Sequence, residues 1–154
     1  MDVQDGAKLE GAKRGSMGHR LMRCARLFNE AALARVRAET GLPIRAIHTT
    51  LFPHVDLGGT RLTTLAERVG VTKQAAGELV EELVEMGVLE RVADSTDGRA
   101  RLIRFRGGPA ALVAGISTLV ALEADFEAEV GEADAQGLRA GLLSLEAFLS
   151  RERA

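Results

Sequence analysis

Tryptophan and tyrosine are absent from this 154-residue chain, and aromatic residues make up only 3% of it. Binding single-stranded nucleic acid by base stacking needs aromatic platforms, so that function is disfavoured. A single cysteine, Cys24, excludes an internal disulfide framework and a thiolate zinc cluster within one chain. No apolar run approaches the ~20 residues that cross a bilayer, and no signal-peptide core opens the sequence. The expectation is a cytoplasmic protein that makes no use of a membrane. The histidines His19, His48 and His54 lack zinc-ligand spacing, and the glycine pairs at 58–59 and 107–108 lack the surroundings of a nucleotide loop. No serine–histidine–aspartate or cysteine–histidine spacing points to catalysis. The chain is therefore expected to be no enzyme and to need neither metal nor cofactor. A blanket basic surface is missing too, because the net charge is −2. Any attraction to a polyanion must come from local charge.

What is present suits one compact soluble domain, with 46% apolar and 27% charged residues. The charge is uneven. Lys8, Lys13, Arg14, Arg20, Arg23 and Arg26 face only Glu10 within residues 8–26, and Arg91, Arg99, Arg101, Arg104 and Arg106 outnumber Asp94 and Asp97 within residues 91–106. Acid gathers later, between Glu123 and Asp134. One face is thus suited to a polyanion and another to solvent or a partner.

Residues 1–15 are rich in Gly, Lys and Asp and read as a flexible tail. Over residues 16–40, Leu21, Cys24, Ala25, Phe28, Ala31, Ala32 and Val36 recur at three and four, which predicts an amphipathic helix ended by Gly41. Cys24 on that stripe reads as a buried, inert thiol, the alternative being a redox-active thiol whose pKa Arg20 and Arg23 lower. A second helix is expected over residues 44–52, with Pro43 in its first turn. Thr64 and Glu67 have the spacing of a capping box, predicting a short helix that starts between positions 61 and 64 and stops at Gly70. Thr72 offers the next N-cap, for a helix over residues 73–86 with Ala76, Leu79, Leu83 and Met86 on its inner stripe. Two β-prone runs, 88–92 and 101–105, flank the turn cluster 94–98. The order helix, tight turn, helix, hairpin is that of a winged helix-turn-helix. Long helices are expected over 109–130 and 133–151.

The second helix of the motif should expose Lys73, Gln74, Gly77, Glu78 and Glu81. Its N-terminal N–H groups suit a phosphate, which makes Thr72 and Lys73 candidate backbone clamps. Gln74 can bond a base edge in the major groove. Gly77 costs about 1 kcal/mol relative to Ala in mid-helix. It signals either close approach to the groove floor or tight packing against a neighbour. Glu78 either reads a cytosine amino group or faces away, and the second is the preferred reading. Glu82 and Glu85 are expected to be solvated. In the hairpin, Arg99 can enter a minor groove, Asp97 can orient it or pair with another arginine, and Arg101 and Arg104 can grip phosphate.

At residues 59–92 and 94–103 the chain resembles the MarR family of bacterial transcription regulators. The resemblance is carried by Leu65-Ala66, Gly70-Val71-Thr72-Lys73-Gln74 and the wing pattern Asp97-x-Arg99. It implies a mainly α fold with a small β-wing, a winged helix-turn-helix joined to a helical dimerisation region. The implied division is an N-terminal tail (1–15), N-terminal dimerisation and support helices (16–58), a DNA-binding lobe (59–106) and C-terminal dimerisation helices (107–154). It further implies a homodimer on a pseudo-palindromic double-stranded operator, commonly as a repressor. DNA contacts carried over from the family fall on Thr72, Lys73, Gln74 and Gly77, and on Arg99 supported by Asp97. Family members also respond to small anionic aromatic effectors in a crevice, whose lining here draws on Arg20, Cys24, His48, Phe52 and Leu112. The competing reading is a winged-helix protein-interaction module without DNA binding, suggested by Glu78, Glu81 and the net negative charge.

Overall fold

The computed structural model describes residues 11–152, and within that range the side chains of Gly98 and residues 109–114 are left undescribed. The chain divides into two compact units, Met1–Gly115 and Ile116–Ala154. The fold is mainly α with a small antiparallel sheet, as the winged-helix reading requires.

In the first unit, residues 11–15 are helical, where composition had suggested an irregular tail; residues 1–10 lie outside the described residues. Helix α1, Met17–Thr40, is capped by Ser16, whose hydroxyl accepts the His19 N–H at 3.1 Å. Its stripe is buried only at Ala32 and Leu33. Leu21, Phe28 and Cys24 are exposed, which corrects the expectation of a buried thiol. The sequence pattern reports that a face is apolar, not that the same chain covers it.

The second predicted helix is shorter than expected. Helix α2 is Ala46–Thr49, followed by a 3₁₀ turn at Phe52–His54, and Pro43 precedes both. Residues 42–45 instead run irregularly and are tied back to α1, since the Arg37 guanidinium donates to the Ile44 carbonyl at 2.8 and 2.5 Å.

A two-residue strand β1, Thr60–Arg61, leads directly into helix α3, Leu62–Val69. The predicted start was right, but the capping box is not formed: Arg61 is the N-cap, without a side-chain bond. Sheet pairing sets the entry to this helix, because β1 is already held against the wing. Gly70 ends α3 in the left-handed region at φ 78°, its N–H bonded to the Ala66 and Glu67 carbonyls. Helix α4 is Lys73–Glu85, capped by Thr72, whose hydroxyl accepts the Ala75 N–H at 3.2 Å. Its buried residues are Ala76, Val80 and Leu83, so Val80 rather than Leu79 or Met86 lies at the centre of the inner face. Val71, in the turn between the two helices, is 38% exposed.

Strands β2 (Leu89–Asp94) and β3 (Asp97–Phe105) form the wing, longer and more tightly turned than the β-prone runs suggested. The sheet order is β1-β3-β2, with Thr60 opposite Ile103, Arg61 opposite Leu102 and Leu89 opposite Phe105. Leu51, Val55, Leu65, Val80, Leu83, Leu89, Ile103 and Phe105 form the core beneath these elements. Phe52 tilts against Phe105, with ring centroids 5.8 Å apart.

Helix α5, Pro109–Val130, starts in the first unit and continues into the second, where helix α6, Glu132–Glu152, follows Gly131. Within the second unit Arg139 bridges Glu127 at 3.1 Å and Glu123 at 3.8 Å. Leu119, Phe126, Leu138, Leu142, Phe148 and Leu149 remain exposed in the single chain. Among the described residues, no helix is long and apolar enough to cross a membrane.

Candidate nucleic-acid interface

The N-terminal turn of α4 presents Thr72, Lys73 and Gln74 to solvent. The first N–H groups of a helix have no intrahelical acceptor, so this end carries partial positive charge beside the Lys73 ammonium. Gln74 donates from Nε2 to Glu78 Oε1 at 3.1 Å, one turn along the helix. Glu78 therefore lies on the Gln74 face rather than facing away. Gly77, between them in sequence, is half-buried; a Cβ there meets only Leu62 Cδ2, at the ordinary contact distance of 3.7 Å. Packing within the chain does not demand a glycine at this position.

The later acids of α4 are engaged. Glu81 accepts from Arg91 of β2 at 2.5 Å. Glu82, expected to be solvated, accepts from Arg45 and from His48, the latter at 2.7 Å. The His48 hydrogen bond, followed by that from Arg45, holds the Glu82 carboxyl below the usual carboxylate range. Sequence spacing alone gave no sign of this cluster, since its partners lie more than thirty positions apart.

The wing is braced at its base by a second long-range cluster. Asp94 is nearly buried; its Oδ1 accepts from the Thr96 hydroxyl and N–H at 2.6 and 2.9 Å, and its Oδ2 accepts from Arg61 at 2.6 and 3.0 Å. Hydrogen bonds from Thr96 and then Arg61 push the Asp94 carboxyl well below its ordinary value, and the Arg61 guanidinium is raised in turn, first through its bond to Asp94. Asp97 does not hold the Arg99 side chain. It accepts the Arg99 backbone N–H at 3.2 Å and lies 3.7 Å from Arg61. Arg104 is paired with Glu90 at 2.7 Å. Arg99 and Arg101 are exposed, with no side-chain ion pair among the described residues.

A carboxylate held below its unfolded pKa stabilises the fold above the unfolded value, and that stabilisation is lost as pH falls through the folded value. Asp94→Asn is thus expected to lower the denaturant midpoint at pH 7, and its deficit against the parent chain should shrink as the pH is taken below about 4. A deficit that stays constant from pH 7 to pH 2.5, in parallel urea titrations, contradicts the Asp94 assignment.

The residues proposed from family resemblance to line an effector crevice have different surroundings. His48 is fully buried with both ring nitrogens engaged, and Phe52 packs on Phe105. Arg20 and Cys24 are exposed on α1, and the Leu112 side chain lies outside the described residues. Two surface concavities among the described residues, of about 430 and 350 Å³, are lined by none of these five.

The segment that builds β1, the two helices of the motif and most of the wing is the part that matches a family model. Residues 55–100 match the MarR family. The solved structures that resemble this MarR-like chain include RV1404 from Mycobacterium tuberculosis, at 20% identity and TM-score 0.66, covering 87% of this chain and 92% of that one. MepR, a regulator of the Staphylococcus aureus multidrug efflux pump MepA, aligns at 14% identity and TM-score 0.62, over 87% and 98% of the two chains. CouR from Rhodococcus jostii RHA1, solved with p-coumaroyl-CoA bound, aligns at 21% identity and TM-score 0.59, over 85% and 92%. At such identities the likeness establishes the shared fold. No curated protein matches the chain.

Proposed function

We propose that this chain is a dimeric transcriptional regulator of the cytoplasm, a repressor rather than an enzyme, that binds pseudo-palindromic duplex DNA. Thr72, Lys73, Gln74 and Gly77 contact the major groove, while Arg99 and Arg101, on a wing positioned through Asp97, contact the minor groove and phosphates. The observation that carries this reading is the distribution of unpaired charge. Lys73, Arg99 and Arg101 are exposed without ion-pair partners among the described residues, whereas Glu81 and Glu82 of the same helix are engaged by Arg91, Arg45 and His48. The pairing of Glu81 with Arg91 removes one of the two acids on which the protein-interaction reading drew, while Glu78 keeps the neutral Gln74 amide as its partner.

Dimerisation is supported by the exposed apolar side chains of α1, α5 and α6, which need a cover. A dimer also doubles the phosphate contacts and places two recognition helices on successive turns of the duplex. Modulation by a small anionic or aromatic effector is supported by the ligand in the CouR structure. With His48 and Phe52 engaged, such a site must form on other residues or in the assembled dimer.

Duplex binding should weaken by about 10³-fold or more between 50 and 200 mM salt if some six phosphates are neutralised. Arg99→Ala and Lys73→Ala are each expected to weaken binding about 10-fold and to flatten the salt dependence, with helix content and sedimentation unchanged. Fluorescence anisotropy across a salt series checks both. Parent-like binding by both variants would falsify the contact assignment.

A further inference from the structure

We infer that Gln74, Gly77 and Glu78 form a base-reading patch that selects an exocyclic amino group, cytosine N4 or adenine N6, in the major groove; this rests on the DNA-binding reading above. Glu78 differs from its neighbours on α4. Glu81 and Glu82 are matched by cations, but the observed partner of Glu78 is the neutral amide of Gln74. An ionised carboxylate can only accept, so the amide must turn its nitrogen toward Glu78. That orientation leaves the Gln74 carbonyl oxygen and the second Glu78 oxygen as acceptors, beside the second Nε2 hydrogen as a donor.

The Glu78 carboxylate, an acceptor only, discriminates among base edges. Guanine offers N7 and O6, and thymine offers O4, all acceptors that this carboxylate repels. Only cytosine N4 and adenine N6 present donors in that groove. Phosphates repel the Glu78 carboxylate as well, so the patch is favourable only where it meets a base edge. Gly77 fits the same picture: an alanine Cβ is accommodated inside the chain, so the bare backbone beside Gln74 and Glu78 answers to something outside it.

The test is selection of duplexes from a randomised library with the full-length chain. The parent protein should enrich one base pair, in one strand orientation, at a symmetric position in each half-site; a G·C pair assigns cytosine N4 and an A·T pair assigns adenine N6. Replacing that pair by its inverse, which moves the amino group to the other strand, should weaken parent binding about 10-fold or more. Glu78→Ala should bind the original and replaced duplexes within about 3-fold of each other, while keeping the salt dependence of the parent. Gly77→Ala should keep the helix content of the parent and lose about 10-fold in affinity for the selected site. If Glu78→Ala enriches the same site with the same discrimination, the base-reading patch is refuted and DNA binding stands. If the parent chain binds no duplex even at low salt, the DNA-binding reading itself fails.

Discussion

His48→Ala is expected to destabilise the chain by about 2–4 kcal/mol, within the range for emptying a fully buried site and orphaning its hydrogen-bond partners. The ring is fully buried and joins two elements far apart in sequence. The Arg45 backbone N–H points at Nδ1 from 3.1 Å, so Nδ1 must accept and the proton of the neutral ring sits on Nε2. Nε2 then donates to Glu82 at 2.7 Å, at the middle of α4. Removing the imidazole leaves a void under α2, a helix-capping N–H without its acceptor, and a carboxylate with Arg45 as its remaining partner. The same ring holds α4 through Glu82, on the helix that also carries Lys73 and Gln74, so duplex affinity should fall along with stability. Urea titration of the parent and variant at pH 7 measures the loss, provided the slope of the transition is unchanged. A midpoint shift worth less than about 1 kcal/mol would show that His48 is not the clasp between α2 and α4.

That clasp marks the boundary of what local sequence can reveal. Thr72, Gly70 and the turn at residues 94–98 act on backbone groups within a few positions of themselves, and each was legible. The Thr64–Glu67 spacing gave the right start for another reason: the box is not formed, and strand pairing of Arg61 with Leu102 fixes where α3 begins. Strand β1, two residues long, is too short to show an alternation, and it exists only because β3 is beside it. On α4, apolar residues occupy positions 79, 80, 83 and 84, so periodicity permitted either Leu79 or Val80 at the centre. Packing against Leu65 and Ile103 in the common core selects Val80. Of the contact residues, exposure of Lys73, Gln74, Arg99 and Arg101 followed from pattern, but the engagement of Arg104 by Glu90 and of Glu82 by His48 required the tertiary fold. The Cys24 stripe fails for a further reason: an apolar face specifies burial without saying which chain supplies the cover.

Gly59→Ala is expected to be comparably damaging, at about 2–5 kcal/mol, through backbone strain and overpacking acting together. Gly59 has φ +99°, outside the range that L side chains readily adopt. A Cβ built there lies 2.8 Å from the Leu102 Cβ, an atom fixed to the β3 backbone that no rotamer change can move aside. The loop cannot relax easily either. The Gly59 N–H is bonded to the Asp56 carbonyl at 2.9 Å, and Thr60 and Arg68 both donate to the Asp56 carboxylate. Relief therefore requires β3 to move away from β1, which breaks the Thr60–Ile103 and Arg61–Leu102 pairing and pulls Arg61 from Asp94. Since β3 also carries Arg99 and Arg101, the substitution should reduce duplex affinity even at temperatures where the chain stays folded. Gly58→Ala is the matched control, because a Cβ at Gly58 meets nothing within 4 Å, and it should change stability by no more than about 0.5 kcal/mol. Equal melting temperatures for the two variants would mean that the wing is not packed against Gly59 in solution, and the bracing of Arg99 through β1 would have to be abandoned.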